Sequence, residues 1–99
     1  MALVLVPNCV SKGRVDDKEK LNDLDWLQQT VNGYIESFHF RKPVEVDGEP
    51  YIGMIINEEG KLMNMIVNHA ATLIARQGGL SASDCIVGNA ILFKKDEIE

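Results

Sequence analysis

The sequence predicts an α+β fold: a single small domain with a mixed or mostly antiparallel sheet of four to five strands and two helices packed on one face. Three observations carry this expectation. Short apolar runs rich in β-branched or aromatic residues recur along the chain, at "ALVLV", "YIESFHF", "YIGMIIN" and "CIVGNAILF". Two other stretches carry helical spacing instead. The resulting order (strand, helix, strand, strand, short strand, helix, strand) has hairpin chemistry at its centre and no regular βαβ alternation.

The elements follow in order. Ala2–Val6 is a short buried strand closed by Pro7 and Asn8. "SKGRVDDKEKLND" is polar and reads as a loop or an exposed hairpin arm. In "LNDLDWLQQTVNG", Leu24, Leu27 and Val31 share a helical face. Asn22, Asp23 or Asp25 can cap that helix, and Asp25 with Gln28 has capping-box spacing. Asn32-Gly33 ends it, with the glycine taking the left-handed position. Tyr34–Phe40 is favoured as a strand, with Ile35 and Phe38 leaving a helical continuation as the rival.

"RKPVEVDGEP" reads as a polar connection holding the turn dipeptide Asp47-Gly48, and "YIGMIIN" resumes strand character. Asn57-Glu58-Glu59-Gly60 has the residue order of a type I turn ending in a left-handed glycine, the corner of a hairpin. A short return strand within "KLMNMIVN" then leads to a second helix. Asn68 is its N-cap, Ala70, Leu73 and Ile74 share its face with Ala71 beside them, and Arg76 complements the dipole in its last turn. Gly78-Gly79 ends it; "LSASD" is a polar link, and "CIVGNAILFKKD" is the last strand, bent at Gly88-Asn89. The acidic tail, 96–99, is expected to fray.

Composition narrows the function classes. The chain has 99 residues, 45% hydrophobic and 25% charged, which suits one soluble globular domain. A chain of this size buries roughly two thirds of its unfolded surface and needs no metal or disulfide to hold a core. A net charge of −5 repels a phosphate backbone and argues against general nucleic-acid binding. Cys9 and Cys85 stand apart, each beside apolar residues, and read as buried free thiols. The apolar run at the start stops at Pro7, too short for a signal peptide or a membrane span.

No chemistry-bearing constellation emerges. His39 and His69 are thirty positions apart and lie in no metal-ligand pattern, so no metal or cofactor is expected. No nucleophile has a base beside it, and "GGLSAS" lacks the phosphate-loop pattern. Glu58 and Glu59 occupy the centre of a turn, pointing to water, whereas a catalytic carboxylate wants a recessed site or a partner across a cleft. The expectation is a binding protein without catalytic residues.

Three stretches in order, "LQQTVNGYIE", "NEEGKL" followed by Asn68, and "IVG", resemble a family of small proteins carried by phages, prophages and plasmids, a domain of unknown function. Asn32 departs from that pattern, standing where the family has the first of two glycines. The resemblance implies an accessory protein of a mobile element, cytoplasmic in a bacterial host. Such a protein is expected to act against host defence by binding. One reading is capture of a small nucleotide-type signal, with Tyr34, Arg41, Asn57, Lys61, Asn68 and Arg76 as the candidate ligand-binding residues. The other is a protein-binding inhibitor or adaptor that contacts a host protein through an exposed strand edge or the methionine-rich "LMNMIV" segment. A homo-oligomer is expected in either case.

Overall fold

The computed structural model describes residues 2–7, 13–15, 21–95 and 97. The expectations for Cys9 and for tail positions 96, 98 and 99 lie outside the described residues, as does most of the polar arm after Asn8. Five strands form one antiparallel sheet in the order β2-β1-β5-β4-β3: β1 (Ala2–Leu5), β2 (Gly13–Val15), β3 (Ile35–Val46), β4 (Glu49–Asn57) and β5 (Ala90–Phe93). Among the described residues lie the helices α1 (Leu24–Val31) and α2 (His69–Gln77). The α+β class and the antiparallel sheet are those the sequence predicts, and Gly13–Val15, the part of the polar arm described as strand, pairs antiparallel with β1.

The helices, however, lie on opposite faces of the sheet. Leu3, Leu5, Ala90, Leu92 and Met54 pack with Ala71 and Ala75 of α2. Their alternates Ala2, Ile91, Phe93 and Ile55 pack with Leu27 and Val31 of α1. Successive side chains of a strand point to opposite faces, so runs as continuously apolar as "ALVL" and "AILF" need cover on both. A helix on one face only would have left half of β5 in water, at roughly 1.5–3 kcal/mol for each large side chain. Instead all four residues of β5 are buried.

The local chemistry of α1 is close to expectation. Asp23 is the N-cap, and its carboxylate accepts from the backbone of Asp25 at 3.0 Å and Trp26 at 3.5 Å. The left-handed residue at the other end is Asn32, at φ 64° and ψ 38°, and not Gly33. Asparagine tolerates that region, and its N–H reaches back to Gln29. Gly33 serves close approach instead, since a Cβ there would lie 2.6 Å from Asn57 Nδ2. Leu24 is half exposed, so the buried stripe is Leu27 and Val31.

The segment read as a connection, 41–50, is mostly strand. Asp47 and Gly48 both have positive φ, 53° and 80°, which makes a two-residue hairpin whose twist matches its strands. Both prolines fit where no ladder bond is lost. Pro43 sits in a bulge where residues 40–43 face Ile52 alone, between the pairs His39↔Gly53 and Val44↔Tyr51. Pro50 lies beyond the reach of β5, which pairs only with 53–55 of β4.

On α2 the face toward the sheet is Ala71, Thr72 and Ala75 with Ile74 packed beside them, while Ala70 and Leu73 of the expected stripe are exposed. Small residues bring this helix close to the sheet: at Gly78 a Cβ would lie 2.4 Å from the Phe40 ring. Gly78 itself has φ −86°, and Gly79 supplies the positive φ, 112°. The last strand is shorter than "CIVGNAILFKKD", because Gly88 at φ 74° turns the chain and leaves Val87 bridged to Val67. The tail is tied down at Glu97, whose carboxylate accepts from Lys94 N at 2.6 Å and whose carbonyl accepts from Asn22 at 3.1 Å.

Candidate functional site

The site begins at Asn57, the last residue of β4. Its Oδ1 accepts from Glu59 N at 2.7 Å, which closes a local turn, and its Nδ2 donates to Val31 O at 2.9 Å, which ties that turn to the end of α1. The chain does not fold back as a hairpin. Met63 N bonds Glu59 O, Met65 N bonds Gly60 O, and Asn64 takes a left-handed φ of 53°, so residues 58–64 coil away from the sheet. No return strand forms beside β4, because β3 and β5 already occupy both its edges. Gly60 is not left-handed; it is glycine because a Cβ would lie 2.7 Å from Val87 Cγ2.

Close approach at Gly60 lets the segment after α2 return against this coil. Val67 bridges Val87, and Gly88 N donates to Ile66 O at 2.8 Å. Lys61 and Asp84 form an ion pair across the join, and Arg76 donates to Asp84 O at 3.1 Å. Asp84 also accepts from Cys85 N at 2.8 Å. Lys61, through its hydrogen bond, and then Cys85 N–H hold the Asp84 carboxyl below the usual carboxylate range. The same pairing raises the Lys61 ammonium, so both groups are charged near neutrality.

Between the coil, the 80–87 segment and the strand ends lies a groove of about 410 Å³. Its floor is apolar, made by Phe38, Ile56, Leu80 and Ile86, and half-buried Cys85 lies in its wall. Glu36, Glu58 and Asp84 stand around it, against Lys61 as the cation of the lining. Three carboxylates and one ammonium make a net charge of −2. Leu62 at the rim is 84% exposed, and Met63 and Ile66 continue an exposed apolar strip along the coil.

The six residues expected to bind a ligand do not converge. Asn57 and Lys61 line the groove. Tyr34 is exposed where α1 meets β3, and its carbonyl accepts from Glu58 N. Arg41 is exposed in the β3 bulge, with its side chain against Gly79 and its N–H donated to Gly78 O at 2.8 Å. Arg76 braces the groove wall from behind. Asn68 is buried and fully used: Oδ1 caps Ala71 N at 3.1 Å, while Nδ2 donates to Leu5 O and Gly88 O at 3.1 and 2.9 Å.

Glu36, Asp84 and Cys85 carry no local sequence signal for this groove, since Glu36 reaches it from a strand, Asp84 from a segment read as a link and Cys85 from the start of what reads as the last strand. Glu58 was legible as a turn residue, and its place on a groove was not. Neither histidine lines the groove, and among the described residues no three His, Cys, Asp or Glu side chains gather as a metal site. No described helix is long and apolar enough to cross a membrane. No family model matches the chain, and no curated protein and no solved structure matches it either.

Proposed function

We propose that this chain is a binding module without catalytic residues, whose groove takes a cationic group carried on an apolar stem. One observation carries the reading: three carboxylates surround an apolar floor, and the cation of the lining is already paired with Asp84. A phosphate entering there would meet Glu36 and Glu58 with no unpaired cation of the lining to receive it. An ammonium or guanidinium would meet the opposite field, while its stem covers Phe38 and Ile86. The charge thus favours the protein-binding reading over nucleotide capture, because lysine and arginine side chains are such groups. The mobile-element setting implied by the resemblance makes a host protein the natural partner.

The test uses small probes on the whole protein. Agmatine and hexylammonium should shift the backbone amide signals of Glu36, Phe38 and Asp84–Val87, more weakly at high salt. Glu36→Lys and Glu58→Lys together should abolish the shifts and leave the fold unchanged. Mono-, di- and cyclic nucleotides should leave these signals in place. If nucleotides move them and the cations do not, the groove is an anion site and nucleotide capture is the better reading.

A further inference from the structure

Beside this groove the sheet is open. Among the described residues β3 is an edge strand, with β4 on one side and no strand on the other. Glu58 N donates to Tyr34 O, so the pair 34↔58 is a hydrogen-bonded one, and by alternation so are 36↔56 and 38↔54. The backbone groups of Ile35, Ser37 and His39 therefore point outward. The open stretch ends at Arg41, whose outward N–H is taken by Gly78 O.

A hollow lies on each face of the sheet along these same residues. On the α2 side, Glu36 and Phe38 enter the acidic groove. On the α1 side, Ile35 and Ser37 border a second hollow of about 220 Å³, walled by Leu21, Leu24, Leu27 and Ile55. The first carries carboxylates; the second has no charged residue in its lining and takes its apolar wall from leucine and isoleucine. An edge with differing pockets on its two faces is built for a strand whose side chains alternate.

We propose that the edge Ile35–His39 takes up an extended segment of another protein as a sixth strand, with basic and apolar side chains in alternation. Residues of that segment opposite 35, 37 and 39 share their face and place apolar side chains toward α1. Those opposite 36 and 38 place lysine or arginine in the acidic groove. This assignment rests on the cationic reading of the groove and adds the backbone pairing. A second copy of the chain fits the edge poorly. The register that uses the open backbone groups of 35, 37 and 39 pairs Ser37 with Ser37 and sets Phe38, not a cation, opposite Glu36, while the register that sets Lys42 opposite Glu36 needs the Arg41 N–H already donated to Gly78 O.

The experiment titrates the intact protein with the peptide Leu-Lys-Leu-Lys-Leu, blocked at both ends. Three comparisons accompany it: the peptide N-methylated at its leucines, the peptide N-methylated at its lysines, and the protein variant Ser37→Pro. In the antiparallel register, where the leucines opposite 35, 37 and 39 form the hydrogen-bonded pairs, the leucine amides face β3 and the lysine amides face water. Leucine methylation should weaken binding about tenfold or more, and lysine methylation should leave it within about twofold. Ser37→Pro removes an outward N–H that no bond among the described residues uses, so it should keep the unfolding midpoint and lose the peptide. The rearranged peptide Leu-Leu-Lys-Lys-Leu should bind about tenfold more weakly.

If both methylated peptides and Ser37→Pro bind as well as the unmodified pair, strand addition is overturned while the cationic groove stands. If neither the peptide nor agmatine binds, both readings fall. If the protein sediments as a dimer that Ser37→Pro dissociates, and no peptide binds, the edge belongs to a second copy and the proposal is wrong.

Discussion

Two buried asparagines, Asn68 and Asn57, do similar work in unlike halves of the molecule. Asn68 sits where β1, the Ile86–Gly88 turn and the start of α2 meet; its side chain makes three hydrogen bonds, and Thr72 Oγ1 closes the same knot by donating to Asn68 O. Asn57 ties the end of α1 to the start of the coil, and the groove opens beside it. Around Asn68 all of these bonds are buried. Around Asn57 the same device holds a turn whose outer side is exposed, next to a strand edge with outward backbone groups. One half spends its polar groups on itself, and the other leaves them available. Function is expected in the second.

That contrast can be broken most severely at Asn68. Asn68→Ala removes a helix cap and leaves the Leu5 and Gly88 carbonyls unpaired, a loss of about 2–4 kcal/mol. The unfolding midpoint should fall by more than about 10 °C. Asn68→Asp keeps the acceptor for Ala71 N–H and loses both donors, so it should rescue nothing; recovery to the wild-type midpoint would mean that the cap alone matters.

Gly78→Ala comes next, at about 1–3 kcal/mol, because the new methyl meets the Phe40 ring and not because of backbone strain. Phe40→Ala in the same chain should remove most of that added cost in a double-mutant cycle. A fully additive pair would contradict the steric explanation.

Asn57→Ala should cost about 1–2 kcal/mol through the lost bond to Val31 O. Its sharper signature is local: amide exchange should accelerate in residues 58–64 while β1 and β5 remain protected. Equal acceleration across the sheet would mean that the two halves are not distinct.

The smallest effect is at the Lys61–Asp84 pair, which is exposed and contributes under about 0.5 kcal/mol. Asp84 titrates below its ordinary value of about 3.9, so the pair's contribution is present above that pH and lost as pH falls through the lowered pKa. Lys61 titrates above about 10.4, so the contribution is lost again as pH rises through the raised pKa. Groove amide signals should move in acid for the wild type and much less for Asp84→Asn. Equal movement in both would show that the acid transition does not come from Asp84.

Sequence alone determined what depends on a few neighbouring residues. Asp47-Gly48 marks a tight turn because few residue pairs accept two consecutive positive φ angles. Asn68 marks a helix start because a short side chain can reach the first free amides, and "ALVL" and "AILF" mark strands by their apolar continuity. That continuity also requires cover on both faces, a signal strong enough to have placed the helices on opposite sides. Tertiary structure decided the rest. Whether 41–46 is strand or loop turns on a bulge that makes room for Pro43, and Gly60 and Gly78 answer to Val87 and Phe40, which come from distant parts of the chain. The groove joins Glu36, Glu58 and Asp84 across nearly fifty residues of sequence. Its charge, and the open edge beside it, exist only once the sheet order has left β3 outermost, since an edge is a property of pairing and not of any one strand.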